Sequence, residues 1–507
     1  MPKIRRGWPT RRERSKCRLH NKKLGRAAVL EVLTEAVGTL NDRVFQTVNM
    51  FGVDIGVVVL FLAGAMLFFT AWLGVPQVRG IGIGIRVLKG KYDDPEAPGS
   101  VSQFQALSTA LSGTVGLGNI AGVAIAIGLG GPGAVLWMFI IGFFAMALKC
   151  AEVTLGLKYR EFAADGEVRG GPMYVVKNGL ASIGLPRSGK FLGVLYSLFA
   201  LGGAIPLIQA NQSFAALADV GGFEAGPTGG LIYGIILAVM IGVVIVGGVK
   251  SIARVTGRVV PVMCAIYLGG VLMVLMVNAG AIPAALASIF SGAFSADAAV
   301  GGVVGVFVVG MQRAVFSSEA GVGTAVIAHS AARTHHPASE GMVALLEPMF
   351  DTMIVCMATA LMIVVTGVHQ QGFQDIAMTS AAFASVVSWF PYVLLIAVLL
   401  FAYSTLIAWG YYFATAFGYL FGHGKRRDLF AKILYCALTP MGSILGAAAV
   451  VNLIDALFFL MVLPNVIGLI FLSPILRREV NGFLAKVKSG EIYGDGVGDE
   501  HITPPHD

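Results

Sequence analysis

Residues 112–119 read SGTVGLGN and residues 317–324 read SSEAGVGT, so both follow the frame Ser-x-x-(Val/Ala)-Gly-(Leu/Val)-Gly-(Asn/Thr). Each octet sits in a stretch apolar enough to cross a membrane, where paired glycines weaken a helix. A helix interrupted in lipid leaves N–H and C=O groups that only protein, water or a ligand can satisfy. The half-helix after the break offers free N–H groups and partial positive charge, which suits a carboxylate. The carbonyls freed ahead of the break suit an ammonium group or a sodium ion. Together the two ends complement a zwitterion better than a sugar or a simple anion. For either octet alone a GxG helix-packing face is the plainer alternative; a matched pair is harder to explain that way.

The elements that must carry these octets are membrane helices. The chain has 507 residues, 56% hydrophobic and 13% charged, against about 25% charged in ordinary soluble domains. Apolar runs predict eleven spans, at roughly 52–76, 101–128, 132–159, 190–217, 229–248, 256–279, 299–331, 342–367, 391–420, 430–447 and 450–475. The segment 374–389 reads as a short helix in a loop, opened by Asp375 and followed by Pro391. Cys17, Cys150, Cys264, Cys356 and Cys436 form neither a CxxC pair nor a zinc spacing.

Lys and Arg alternate by loop. Arg79, Arg86, Lys89 and Lys91 precede the second span, and further basic groups follow at 160–190, 250–258, Arg333, 425–432 and 477–488. The loops between them, 129–131, 218–228, 280–298, 368–390 and 448–449, have none. The positive-inside rule then makes the basic loops and the C-terminus cytoplasmic, in a multi-pass protein of the cell's cytoplasmic (inner) membrane. The net charge of +8 thus belongs to loops beside a lipid bilayer and does not point to nucleic acid. Residues 1–27 carry eleven basic residues, which an odd number of spans would put outside. They are expected to be an added or mis-assigned start.

The octets open corresponding helices of two five-helix units, 101–298 and 299–480. Residues 28–100 supply an extra first helix and linker, and 481–507 a polar tail. Five is odd, so the second unit is inserted upside down, as in inverted-repeat transporters whose paired broken helices mark a midplane site.

Four stretches in order, GTVGLGNIAGVAIAIGLGGPGAVLWM, GGPMYV, QRAVFSSEAGVGTAVIAHSAA and FAYSTLIAWGYY, resemble signatures of the alanine/glycine:cation symporter family, also called sodium:alanine symporters or amino acid carrier proteins. The resemblance covers about residues 28–480. It implies an all-α, leucine-transporter-like five-plus-five core and sodium-coupled import of small neutral amino acids, with sodium as coupling ion and no other cofactor. By resemblance, the substrate carboxylate meets the half-helix starting near Leu117 and Gly118, and its ammonium meets carbonyls around Thr114, Phe316 and Ser317. Phe316 and Trp409 wall a pocket about the size of a methyl group. The family commonly has Asn where this chain has Ser318, so selectivity is expected to depart there. The sodium site would take the carbonyls of Ser112, Val115 and Ala402 and the hydroxyl of Thr405, with Ser404 nearby.

Each of these residues has a plainer reading. Thr405 can bond back to its own helix, Phe316 and Trp409 can simply pack, and Gln209 either touches substrate or ties two helices. Asn119 and Asn211 read as interhelical ties. Glu319 is expected to cap the following half-helix, and it also keeps a proton-coupled symporter as the alternative. Asp351 is expected at a solvated helix end, and His329, His335 and His336 near a cytoplasmic loop. No HExxH, GxSxG or paired catalytic carboxylates argue for an enzyme, and no continuous polar stripe argues for a channel.

Overall fold

The computed structural model describes residues 44, 46–50, 53–92, 94, 96–163, 166–223, 226–295, 302–373, 375–444 and 448–492. The basic stretch 1–27 and the end of the tail from 493 onward lie outside the described residues. The described chain is mostly helical, as lipid requires of segments that must pair their own backbone groups.

Helices occur at every expected span, but they differ in kind. Six are individually long and apolar enough to cross a membrane: Ala134–Lys158, Pro186–Gly221, Pro227–Val246, Gly248–Val277, Pro337–Val365 and Phe390–Phe421. Counting each bent pair as one span raises this to nine among the described residues. Those pairs are Val57–Trp72 with Pro76–Leu88, Gln103–Thr114 with Leu117–Gly130, and Ala456–Phe471 with Ser473–Ser489. Of the remaining expected spans, Gly302–Ser318 is too short to count alone. Lys425–Ile444 opens on Lys425, Arg426, Arg427 and Asp428.

Bends follow local chemistry. Val57–Trp72 turns by 77° through Gly74 and Val75, both with positive φ. The following Pro76–Leu88 buries Ile83 and Val87 while carrying Arg79 and Arg86, the pattern of a helix lying along the membrane surface. A short antiparallel hairpin, Thr47–Met50 with Val53–Gly56, precedes the pair. The span Pro186–Gly221 is itself divided, with helix Pro186–Gly203 ending before Ala204 and helix Leu207–Gly221 starting after Pro206. The loop helix expected at 374–389 is Asp375–Ala384.

Ala134–Lys158 runs through the centre, packed on Gly302–Ser318, Pro337–Ala344 and Val57–Trp72. Small residues permit this. A Cβ at Gly310 would stand 2.6 Å from the Ala134 carbonyl oxygen and 2.7 Å from the Trp137 Cβ. Gly310→Ala is therefore expected to cost about 1–3 kcal/mol through overpacking, read as a lower Tm of the purified protein in detergent. An unchanged Tm would contradict so close an approach.

Candidate functional site

The first octet breaks its helix as its glycines suggest. Ser102 and Gln105 start the helix Gln103–Thr114 with a reciprocal capping box, and beyond Thr114 the chain is extended at Val115 and Gly116 before Leu117–Gly130 resumes. Part of the freed backbone is paired by protein. The Gly113 carbonyl accepts the Trp409 indole N–H at 3.3 Å, and the Gly116 N–H donates to Asn119 Oδ1 at 2.9 Å. Among the described residues, no partner meets the N–H groups of Leu117 and Gly118 or the carbonyls of Ser112, Thr114 and Val115. Those are the groups a helix end leaves without an intrahelical bond.

The second octet breaks differently. Helix Gly302–Ser318 stops where Glu319, Gly321 and Gly323 take φ of 50°, 91° and 83°, and only the short helix Thr324–His329 follows. Here protein pairs two of the freed carbonyls: Asn465 Nδ2 donates to the Gly321 carbonyl at 2.9 Å and the Tyr196 hydroxyl to the Val322 carbonyl at 3.1 Å. Glu319 does not cap the next half-helix as expected. Its carboxylate accepts the Thr324 hydroxyl at 2.5 Å, and the N-cap is Gly323, which has no side chain to cap with.

The two breaks touch. The Asn119 amide lies 3.2 Å from Ser317 Oγ and also bonds the Asp351 carboxylate, the interhelical tie expected of it. Asp351, expected at a solvated end, is instead fully buried in a π-helical stretch, Met349–Cys356. It accepts the Ser317 hydroxyl at 2.6 Å and the Thr352 hydroxyl at 2.9 Å. The apolar start of that span hid how far in Asp351 lies.

Beside the junction is a cavity of about 180 Å³. The first break contributes Thr114, Leu117 and Gly118 to its wall, and the second contributes Phe316 and Glu319. Thr405 and Trp409 line it from Phe390–Phe421, and Gln209 lines it beside the third interruption at Ala204–Pro206. Phe458 completes an aromatic side, stacked on Phe316 at 6.1 Å and tilted against Trp409 at 6.0 Å. Six of the eight residues expected at the substrate are thus gathered here. Among the described residues Ser317 and Ser318 are not in the wall: Ser317 points its hydroxyl at Asp351, and Ser318 Oγ accepts the Ala320 N–H at 3.4 Å.

The residues expected at sodium lie where the first break meets the long helix Phe390–Phe421. The Ser112 hydroxyl donates to the Ser404 carbonyl at 2.6 Å. A Cβ at Gly116 would stand 3.2 Å from Thr405 Oγ1, and Val115 is the residue before it in the extended break. Ala402 is buried on that helix. Ser404 bonds back to Phe401 at 3.0 Å, but among the described residues Thr405 makes no such bond. The amide of Gln209 likewise has no interhelical partner among the described residues, whereas Asn211 does tie its helix to the Gly442 carbonyl at 3.2 Å.

His329, expected near a loop, is fully buried with Nδ1 2.6 Å from Glu340 Oε1. Lys149, Glu152, Glu340, Glu347 and Asn465 are buried polar groups that sequence reasoning passed over. The signal existed, since Lys149 and Glu152 stand one helical turn apart inside an apolar run. Among the described residues no cluster of His, Cys, Asp or Glu could hold a metal ion.

Asn119 joins three segments, so Asn119→Ala should leave the Gly116 N–H and the buried Asp351 and Ser317 short of partners. The expected cost is about 1–3 kcal/mol, measured as a fall in Tm in detergent. Full retention of stability would contradict the role of this tie.

A model of the sodium:alanine symporter family matches residues 38–494. The chain is 38% identical to the sodium/alanine symporter AgcS of Methanococcus maripaludis over 86% of this chain and 96% of that protein. It is 32% identical to the probable sodium/glutamine symporter GlnT of Bacillus subtilis over 91% and 93%. In three dimensions it resembles MhsT, solved in complex with L-phenylalanine, with a TM-score of 0.53 at 16% identity, covering 76% of this chain and 98% of that one. That likeness assigns a leucine-transporter-like fold. These are multi-pass transporters and not enzymes, and this chain belongs to the sodium:alanine symporter family.

Proposed function

We propose that the protein imports small neutral amino acids, alanine and glycine foremost, together with sodium, by alternating access. The observation that carries this reading is the cavity at the meeting of the two breaks. On one side it has the unpartnered N–H groups of Leu117 and Gly118, suited to a carboxylate. Around it stand Thr114 and the aromatic pair Phe316 and Trp409. Gln209 adds an amide within reach of a bound zwitterion. At about 180 Å³ the cavity favours short side chains. Size discrimination by an apolar wall is modest, so serine is expected to be a weaker substrate rather than excluded.

For sodium we assign the carbonyls of Ser112, Val115 and Ala402 and the hydroxyl of Thr405. The unbonded Thr405 hydroxyl beside unpartnered carbonyls supports that choice. Ser317 and Ser318 are assigned to the layer behind the cavity wall, where they act on its shape. We further assign the five-plus-five inverted repeat, with the basic loops and C-terminus cytoplasmic in the cell membrane. One sodium crossing with a tenfold gradient and 100 mV supplies about 1.4 and about 2.3 kcal/mol respectively. That sustains a substrate gradient of roughly 500-fold at one-to-one coupling. A proton-coupled symporter is the second reading, favoured by the position of Glu319 in the cavity wall.

Uptake of labelled alanine into proteoliposomes tests both readings. An inward sodium gradient without a pH gradient should drive saturable accumulation. Uptake that follows a pH gradient and ignores sodium would overturn the sodium assignment, and no saturable uptake of any small neutral amino acid would overturn the substrate class. Thr405→Val should raise the sodium concentration for half-maximal uptake roughly tenfold or more, the loss of one charge-assisted contact. An unchanged value removes Thr405 from the ion site.

A further inference from the structure

Behind the cavity wall lies a second polar system that the transport reading does not use. Lys149 Nζ and Glu347 Oε1 pair at 3.0 Å, with neither side chain accessible. His329, equally inaccessible, has Nδ1 2.6 Å from Glu340 Oε1 and Nε2 facing Glu347 Oε2 across 3.7 Å. Among the described residues, His329 Nε2, Glu347 Oε2 and Glu340 Oε2 are buried with no hydrogen-bond partner. Glu319, in the cavity wall, and Glu152, which accepts from Asn465 at 2.7 Å, are charge neighbours of Lys149. Asp351 is a further charge neighbour of Glu347, already held by Ser317, Thr352 and Asn119. At the opposite end Arg160 neighbours Glu340. Its guanidinium spans the carbonyls of Pro98, Ser330, Ala332 and Thr334 on the face that bears the basic loops.

Charge balance makes this cluster more than a structural ion pair. Glu152, Glu319, Glu340, Glu347 and Asp351 face Lys149 and His329, or three cations once Arg160 is included. An uncompensated buried charge costs several kcal/mol, and the usual relief is protonation. Even with every cation charged, two carboxylates must hold protons for neutrality.

We propose that Glu347, His329 and Glu340 form a proton relay to the basic face, linked through Lys149 and Glu319 to cation occupancy of the cavity. A proton on Glu347 Oε2 passes to His329 Nε2, giving an imidazolium. Its Nδ1 proton then passes to Glu340 Oε1, leaving a neutral ring in the other tautomer. Only O–H and N–H bonds exchange, and no further reactant is consumed. A cation held at Thr405, in the cavity that Glu319 also lines, stabilises that carboxylate as an anion and lowers the cluster's hold on its proton, which leaves past Arg160. By reciprocity a protonated cluster binds the cation less well. The identity of that cation rests on the sodium reading above.

Equilibrium binding of radioactive sodium to the purified full-length protein, measured at two pH values one unit apart, tests the linkage. The relay requires the sodium Kd to rise as pH falls, by up to about tenfold for one proton fully exchanged. That dependence should shrink to about twofold or less in Glu347→Gln and in His329→Gln, each first checked for a monodisperse profile. A wild-type Kd indifferent to pH overturns the relay while leaving sodium symport standing, and needs no variant. A wild-type slope retained in either folded variant also overturns it. Absence of saturable sodium binding at any pH overturns the sodium reading and the linkage with it.

Discussion

Lipid offers no hydrogen bonds, so every backbone group released by a helix break must find its partner inside the protein or in what the protein carries. The whole site descends from that constraint. The first break is left partly open, with two N–H groups and three carbonyls that meet no partner among the described residues. The second is partly paired, with the Gly321 and Val322 carbonyls taken by Asn465 and Tyr196. The first break therefore has N–H groups at the cavity available to a ligand, and the second brings Phe316 and Glu319 to the same wall.

The rest of the bundle serves to keep the open break from collapsing. Trp409 occupies one freed carbonyl and adds an aromatic wall. Asn119 occupies one freed N–H and fastens the break to Ser317 and Asp351. Both residues satisfy just enough of the interruption to hold its shape. The buried Lys149–Glu347 pair then sets the charge behind Glu319, so the electrostatics of the cavity reach beyond the residues that line it.

Much of this was legible in the sequence. The octets located both breaks, and a helix lies at each apolar run among the described residues, because a segment in lipid must pair its own backbone. Phe316, Trp409 and Thr405 came from stretches whose order resembles a family and Gln209 from an amide at membrane depth, and the structure gathers them at one cavity. What was not legible depended on which way a side chain turns. Ser317 is one residue from Phe316, yet it points to Asp351 and away from the cavity. Asp351 was misread because a carboxylate near the start of an apolar run looks solvated until a π-helical turn is seen to carry it inward. The break at Ala204–Pro206 was overlooked although Gly202, Gly203 and Pro206 mark it, since the hydropathy of that span is uninterrupted. The Lys149 network was passed over because single charges within long apolar runs do not alter a span assignment.

The central claim is that the open first break holds the substrate's carboxylate, and an experimental structure with sodium and alanine bound tests it most directly. The account predicts the carboxylate oxygens within hydrogen-bond distance of the Leu117 and Gly118 N–H groups, with the methyl group toward Phe316 and Trp409. Alanine bound elsewhere, or lying in this cavity with its ammonium toward those N–H groups, would contradict it.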